Sequence, residues 1–216
     1  MKRLCVVCEG QTEAEFVGRC LAPHLQEHNL LVFASILQAK SGNHRGGRVT
    51  IERLGKQLAC EYHAVDRITT LVDFYGFQDR AGRERSELES AILGEAQKWG
   101  HDRLEERFVL PYVQMHEFEA LLFSDIEGFH LVLDGWNLAS QRDLRAVRSA
   151  FGNPEEINDS PQTAPSKRIL SIFANGAYSK TEHGPLIAEE IGLLTIREAC
   201  PGFHAWLSGL EAWGDR

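Results

Sequence analysis

Three carboxylates fall within seven residues in the stretch Cys8-Glu9-Gly10-Gln11-Thr12-Glu13-Ala14-Glu15-Phe16, where an apolar run gives way to a helical pattern. They need not share one purpose. Thr12-Glu13-Ala14-Glu15 matches a capping box, with Thr12 as N-cap and Glu15 at the third helical position. Glu13 lies in the first helical turn, where the helix dipole favours a negative charge by roughly 0.3–1 kcal/mol, or it serves an ion. Glu9 ends the apolar run Leu4–Cys8, and Asp73 ends a later strand-like stretch, Ile68–Val72. If both are strands of one parallel sheet, the two carboxylates arrive at the same edge, where open sheets place their ligands. Like charges set side by side repel unless a cation lies between them, and oxygen-only donors suit Mg²⁺ or Mn²⁺. The competing reading is two solvated loop acids. His116-Glu117-Phe118-Glu119 follows a later strand and poses the same choice: Glu117 or Glu119 completes a metal shell, or both are the solvated start of a helix. His116, alone at an element boundary, reads as structural.

The elements that would position these groups alternate along the first part of the chain. Leu4–Cys8 is a short continuous apolar run, as expected of a strand buried on both faces. A helix follows with Phe16, Val17, Cys20, Leu21 and Leu25 on one face. Leu30–Leu37 reads as a strand, Val49–Tyr62 as a helix, Ile68–Val72 as a strand, Ser86–Trp99 as a helix and Phe108–Val113 as a fourth strand. Pro111 lacks a backbone donor and assigns that last strand to an edge. This order predicts an α/β fold: a compact sheet of about four mainly parallel strands flanked by helices over residues 1–115. Residues 116–216 carry helical spacing almost throughout and are expected to form a helical elaboration packed on that core. The apolar spacing of Phe203, Trp206 and Trp213 assigns them to packing.

Bulk properties narrow the function classes. The chain is 43% hydrophobic and 25% charged, ordinary for a globular protein of 216 residues. No apolar run approaches the roughly 20 residues that span a bilayer, and the opening MKRLCVVCEG turns polar too soon for a signal peptide, so a cytoplasmic protein is expected. Five scattered cysteines fit reduced thiols. Cys5 and Cys8 would point to opposite faces of a strand, which argues against a zinc or redox pair. A net charge of −8 does not suggest a nucleic-acid binder, but its distribution does. Residues 28–51 contain no acid and carry Lys40, His44, Arg45 and Arg48 around Gly42–Gly47. Residues 160–181 again contain none and carry Lys167, Arg168 and Lys180. Two such segments could hold phosphates, with Lys40, Arg45, Arg48, Lys167 and Arg168 as contacts. The Gly42–Gly47 loop matches neither a Gly-x-Gly-x-x-Gly nor a Walker pattern, which ranks a nucleotide-binding module low.

Val7-Cys8-Glu9-Gly10-Gln11-Thr12-Glu13, with an aspartate ending a later strand, resembles the opening of the overcoming-lysogenization-defect (OLD) branch of the TOPRIM superfamily, which also holds primases and topoisomerases. The chain as a whole resembles domain-of-unknown-function family 4276, considered TOPRIM-like. That likeness runs through Asp73-Phe74-Tyr75-Gly76, His116 to Phe123, Ile157-Asn158-Asp159, Ala164-Pro165-Ser166-Lys167-Arg168 and Cys200-Pro201-x-Phe203. The resemblance implies Mg²⁺- or Mn²⁺-dependent phosphodiester chemistry on DNA or RNA, with an ATPase partner in an anti-phage system. Under it, Glu9, Glu13, Asp73 and Glu117 or Glu119 hold metal. Glu9 does acid–base work, and Lys167 or Lys180 stabilises the transition state. One departure stands out: TOPRIM enzymes carry Asp-x-Asp, and here Asp73 is followed by Phe74 and Tyr75. Asp79, Glu117 or Glu119 would have to substitute, and a catalytically inactive interaction subunit is the rival expectation.

Overall fold

The computed structural model describes residues 1–37, 49–100, 104–158 and 163–214. Its centre is a parallel sheet of β1 (Lys2–Cys8), β2 (Leu30–Ile36), β3 (Arg67–Asp73), β4 (Val109–Leu110) and β5 (Val113–Gln114), in the order β2-β1-β3-β4, with β5 also on β3. The expected fourth strand is therefore split. Pro111 interrupts the ladder, and the hydroxyls of β3 bridge the break: Thr70 Oγ1 accepts from Tyr112 N at 2.8 Å and donates to Tyr112 O at 2.7 Å. An edge strand tolerates such a gap.

Alternation explains the layers. Successive side chains of β1 point to opposite faces, so Leu4, Val6 and Cys8 join one apolar cluster and Cys5 and Val7 the other. The second cluster is covered by α3 (Ile51–Glu61) and α4 (Arg85–Trp99). The first is covered by the helix after β1, running as α1 (Gln11–Phe16), a π-helical stretch Val17–Leu21 and α2 (Ala22–Glu27). The helices α5 (Leu138–Ser149), α6 (Pro165–Ile172), α7 (Lys180–Ile191), α8 (Leu193–Ala199) and α9 (Pro201–Gly214) share that cluster. Trp206 and Phe203 are buried in it. Trp206 stacks on Tyr112 with ring centroids 4.5 Å apart and donates to Thr69 Oγ1 at 2.8 Å, so these aromatics do pack the core.

Two local expectations change. The helix after β1 starts two residues earlier than the sequence pattern suggests: Gly10 is its N-cap, and Glu13 sits at the third position, accepting from Gly10 N at 2.9 Å. The reciprocal bond of a capping box thus belongs to Glu13, and Glu15 is left to pair with Arg19 at 3.6 Å. A Gly offers no capping side chain, which is why the Thr12-x-x-Glu15 pattern is the more visible one. Residues Phe118–Ser124 form a 3₁₀ helix rather than an α-helix, and every residue from Phe118 to Phe123 is buried, so the segment is covered on all sides.

Topology singles out one place. From β1 the chain crosses to β2 on one side, and from β3 to β4 on the other, so the direction of winding reverses between β1 and β3. The crevice outside the carboxyl ends of those two strands is where doubly wound sheets bind ligands.

Candidate functional site

Glu9 follows β1 and Asp73 ends β3, on adjacent parallel strands aligned so that Cys8 pairs with Leu71. The two residues meet: Asp73 N donates to Glu9 Oε2 at 3.3 Å. Gly76 makes room for this contact, because a Cβ there would overlap the Glu9 carboxylate. Asp73 in turn reaches the next element, with its Oδ1 accepting from Phe118 N at 2.8 Å. That bond fixes the 3₁₀ helix above the sheet edge and brings Glu117 and Glu119 to the same crevice. His116, just before it, adopts a left-handed backbone (φ 65°) so that its carbonyl accepts from Tyr75 N at 3.1 Å.

A cation comes from the far end of the sequence. Lys180 opens α7 and places Nζ 3.2 Å from Glu119 Oε1 and 3.9 Å from Glu117 Oε1. It arrives because α7 approaches α1 at Gly184, where a Cβ would lie 3.3 Å from Thr12 Cγ2 and 3.5 Å from both Phe118 and the Tyr178 hydroxyl. Glu117 Oε2 accepts from Ser166 N at 2.9 Å, at the start of α6. Glu119 and Glu117 thus pair with one ammonium, whose charge also acts on Glu9, Glu13 and Asp73.

Electrostatics follow from that imbalance. Burial first, then the charge of Glu9, pushes Glu13 up to about 7, against the lowering effect of its backbone hydrogen bonds. Burial, then Glu13, Glu9, Glu119 and Glu117, holds Asp73 well above the usual carboxylate range. Glu9 and Glu119 are raised by burial as well, with Lys180 working in the opposite direction on both. Burial works against the Lys180 ammonium, but Glu119 and Glu117 outweigh it and raise its pKa. Uncompensated negative charge in a low-dielectric crevice is stabilised either by protons or by a metal ion.

The donor chemistry fits a hard divalent cation: oxygen ligands at a sheet edge, around a crevice where polar groups still lack partners. Tyr178 Oη and Ser166 Oγ are buried without a hydrogen-bond partner among the described residues. Tyr178 is only 3% exposed, and its hydroxyl feels both Glu119 and Glu117. Buried hydroxyls left in this state mark a place for water or a ligand. The carboxylates are spread more widely than a closed shell, as mutual repulsion requires. Among the described residues, the only trio of potential ligand atoms all within 4.8 Å of one another is formed elsewhere, by His24, His28 and Glu211.

The remaining sequence candidates separate. Asp79, offered as a substitute for the missing second aspartate, does not join the group: its carboxylate accepts from Ile51 N at 3.1 and 3.3 Å and caps α3 beside Thr50. Lys167 is exposed on the first turn of α6 and makes no ion pair among the described residues. Arg168 donates from Nε to Thr163 O at 2.7 Å and lies 5.3 Å from the Phe151 ring, securing the turn into α6. Lys40, Arg45 and Arg48 lie outside the described residues. Sequence reasoning missed Tyr178 and Ser166. Their advance signal is position: both fall in the acid-free segment 160–181, and Ser166 also lies within the Ala164–Arg168 motif.

No curated protein matches the chain. Among solved structures it is similar to the C-terminal region of the OLD protein of Xanthomonas campestris pv. campestris. The iodine-phased structure aligns with 15% identity and a TM-score of 0.44, covering 100% of this chain and 97% of that one. The mercury-phased structure aligns with 13% identity, a TM-score of 0.42 and the same coverage. The sequence profile of the family described as Domain of unknown function (DUF4276) matches residues 8–211, and the chain belongs to that family.

Proposed function

We propose that this protein is a divalent-metal-dependent, TOPRIM-like phosphodiesterase that cuts or nicks DNA or RNA. The observation that carries the reading is the Asp73 N–H bonded to Glu9 Oε2 at the point where the sheet's winding reverses. Two carboxylates distant in sequence share one crevice, with three more within electrostatic reach. Glu9, Asp73 and Glu119 would hold Mg²⁺ or Mn²⁺, with Glu13 and Glu117 completing the shell. The bound ion supplies a water of lowered pKa and neutralises phosphate oxygens.

The chain's own groups have distinct tasks. Glu9, half-buried with a raised pKa, holds or takes the proton of the attacking water at its free carboxylate oxygen. Glu13, held near 7, keeps a proton in exchange beside it at neutral pH. Lys180 keeps its charge and faces the charge that develops on the phosphoryl oxygens. The Tyr178 hydroxyl donates to the same oxygens. Lys167, on the exposed first turn of α6, with Arg168, Lys40, Arg45 and Arg48, contacts the backbone phosphates, which orients the strand without reading sequence. The likeness of Glu9–Glu13 to the OLD-type motif extends the proposal to an anti-phage system with an ATPase partner.

A second reading, a catalytically inactive interaction subunit of an ATPase complex, is favoured by one observation. Ser166 N already engages Glu117, and Lys180 already engages Glu119, so the chain supplies part of its own compensation. A plasmid-nicking assay in Mg²⁺ or Mn²⁺, with and without EDTA, separates the two. Metal-dependent cutting lost in Glu9→Ala and in Asp73→Ala supports the enzyme. ATPase binding with no cutting under any condition supports the interaction subunit.

A further inference from the structure

A second cluster of metal-ligating side chains lies away from the sheet edge, where the first long helix meets the last one. His24 and His28 are four residues apart, a spacing that puts two imidazoles on one helical face. Their ring centroids are 5.2 Å apart. Glu211 of α9 faces both: its Oε1 lies 2.7 Å from His24 Nε2 and 4.0 Å from His28 Nε2.

We propose that His24, His28 and Glu211 form a zinc site that fastens α9 to the helix after β1. Tetrahedral zinc with bonds of about 2.0–2.1 Å holds its ligand atoms about 3.3–3.4 Å apart. The two observed nitrogen–oxygen distances, 2.7 and 4.0 Å, bracket that separation. Shifts of roughly 0.6 Å, one ring outward and one inward, bring both nitrogen–oxygen distances to that separation, and the three ligand atoms already lie within 4.8 Å of one another. Two imidazoles and a carboxylate are a nitrogen-rich set suited to Zn²⁺, unlike the all-oxygen crevice at β1 and β3.

The supporting partners are in place. Arg197 also holds Glu211, with Nη1 2.8 Å from Oε1 and Nη2 3.2 Å from Oε2, and Nη2 donates to Ser208 Oγ at 2.9 Å. A hydrogen-bonded carboxylate is oriented for a metal as well as charged for it. Both histidine side chains remain about 30% exposed, at 28% and 31%, which leaves the fourth position open to water. Lys2 Nζ donates to Trp213 O at 2.8 Å beside this junction, so the ion would reinforce an attachment that already joins the two ends of the described chain.

Co²⁺ titration followed by visible d–d absorption tests the site, with Zn²⁺ competition to rank the metals. The titration is run on wild type, on His28→Ala, and on a Glu9→Gln/Asp73→Asn chain in which the acidic crevice is disabled. His28→Ala is the chosen variant because its Nε2 lies farther from Glu211 than that of His24, 4.0 against 2.7 Å, and a wild-type far-ultraviolet circular dichroism spectrum establishes that the variant is folded. We expect one tetrahedral Co²⁺ in wild type and in Glu9→Gln/Asp73→Asn, displaced by Zn²⁺. Affinity should fall in His28→Ala by more than the 10–100-fold that loss of a supporting partner costs. The same fall should appear in the zinc-induced rise in melting temperature. Wild-type affinity in His28→Ala, binding that disappears with Glu9 and Asp73, or no binding at all overturns the site.

Discussion

Glu13→Gln is expected to stabilise the metal-free protein at alkaline pH and to do so less as pH falls. The wild-type carboxyl is 7% exposed, and its pKa stands at about 7 against an ordinary 4.5. At about 1.36 kcal/mol per unit, that rise is on the order of 3 kcal/mol of cost to the folded state once Glu13 is ionised. The folded protein holds the proton more tightly than the unfolded chain does, so the stability this proton contributes declines as pH climbs from 4.5 and is fully lost above about 7. The glutamine carries no charge, and its amide oxygen still accepts from Gly10 N, which preserves the helix cap. Urea unfolding in EDTA at pH 8 should therefore show the variant more stable by up to about 3 kcal/mol, with the gap narrowing toward pH 5. Saturating Mn²⁺ at pH 8 should reverse the order, because the metal compensates the wild-type charge. A variant no more stable than wild type at pH 8, with a gap independent of pH, would refute the reasoning that Glu13 stands in uncompensated negative charge.

Three further outcomes follow from named contacts. Gly76→Ala should displace the Glu9 carboxylate it would overlap, weakening Mn²⁺ binding at least tenfold in calorimetry and costing about 1–3 kcal/mol of stability. Lys180→Met removes the ammonium beside Glu119. Because that side chain is 41% exposed the loss in stability at pH 8 should be only about 1–2 kcal/mol, whereas nicking activity should drop by roughly two orders of magnitude. Glu155→Ala leaves the N–H groups of Gly202 and Phe203, bonded at 2.6 and 3.1 Å, without an acceptor at the buried start of α9, and chemical denaturation should register a loss of about 2–4 kcal/mol.

The sequence reveals the centre of the sheet well because β1 and β3 are buried along most of their length. Leu4–Cys8 reads as a continuous apolar run and Ile68–Val72 as a β-branched one, and a carboxylate marks where each stops. Glu9 and Asp73 were legible for the same reason, since a carboxylate directly after a buried strand has only the sheet edge to occupy. The local start of α1 was less legible: Gly10 caps through its backbone alone, and a backbone donor leaves no residue-type signature. Spacing alone also did not choose between Glu117 and Glu119. Glu117 bonds Ser166 N while Glu119 pairs with Lys180, and both partners lie more than forty residues away. Asp79 looked eligible by chain proximity to Asp73, yet the nearby helix start at Ile51 claims it. Tyr178 depends on the approach of α7 to α1, a tertiary contact that no periodicity encodes.

Anomalous diffraction from crystals grown in Mn²⁺ addresses the shared-cation claim without relying on activity. The account predicts a peak outside the carboxyl ends of β1 and β3, within about 2.0–2.4 Å of oxygens from Glu9 and Asp73 and of one from Glu119 or Glu117. Two well-ordered carboxylates with no peak between them, or manganese held only at His24, His28 and Glu211, would contradict it.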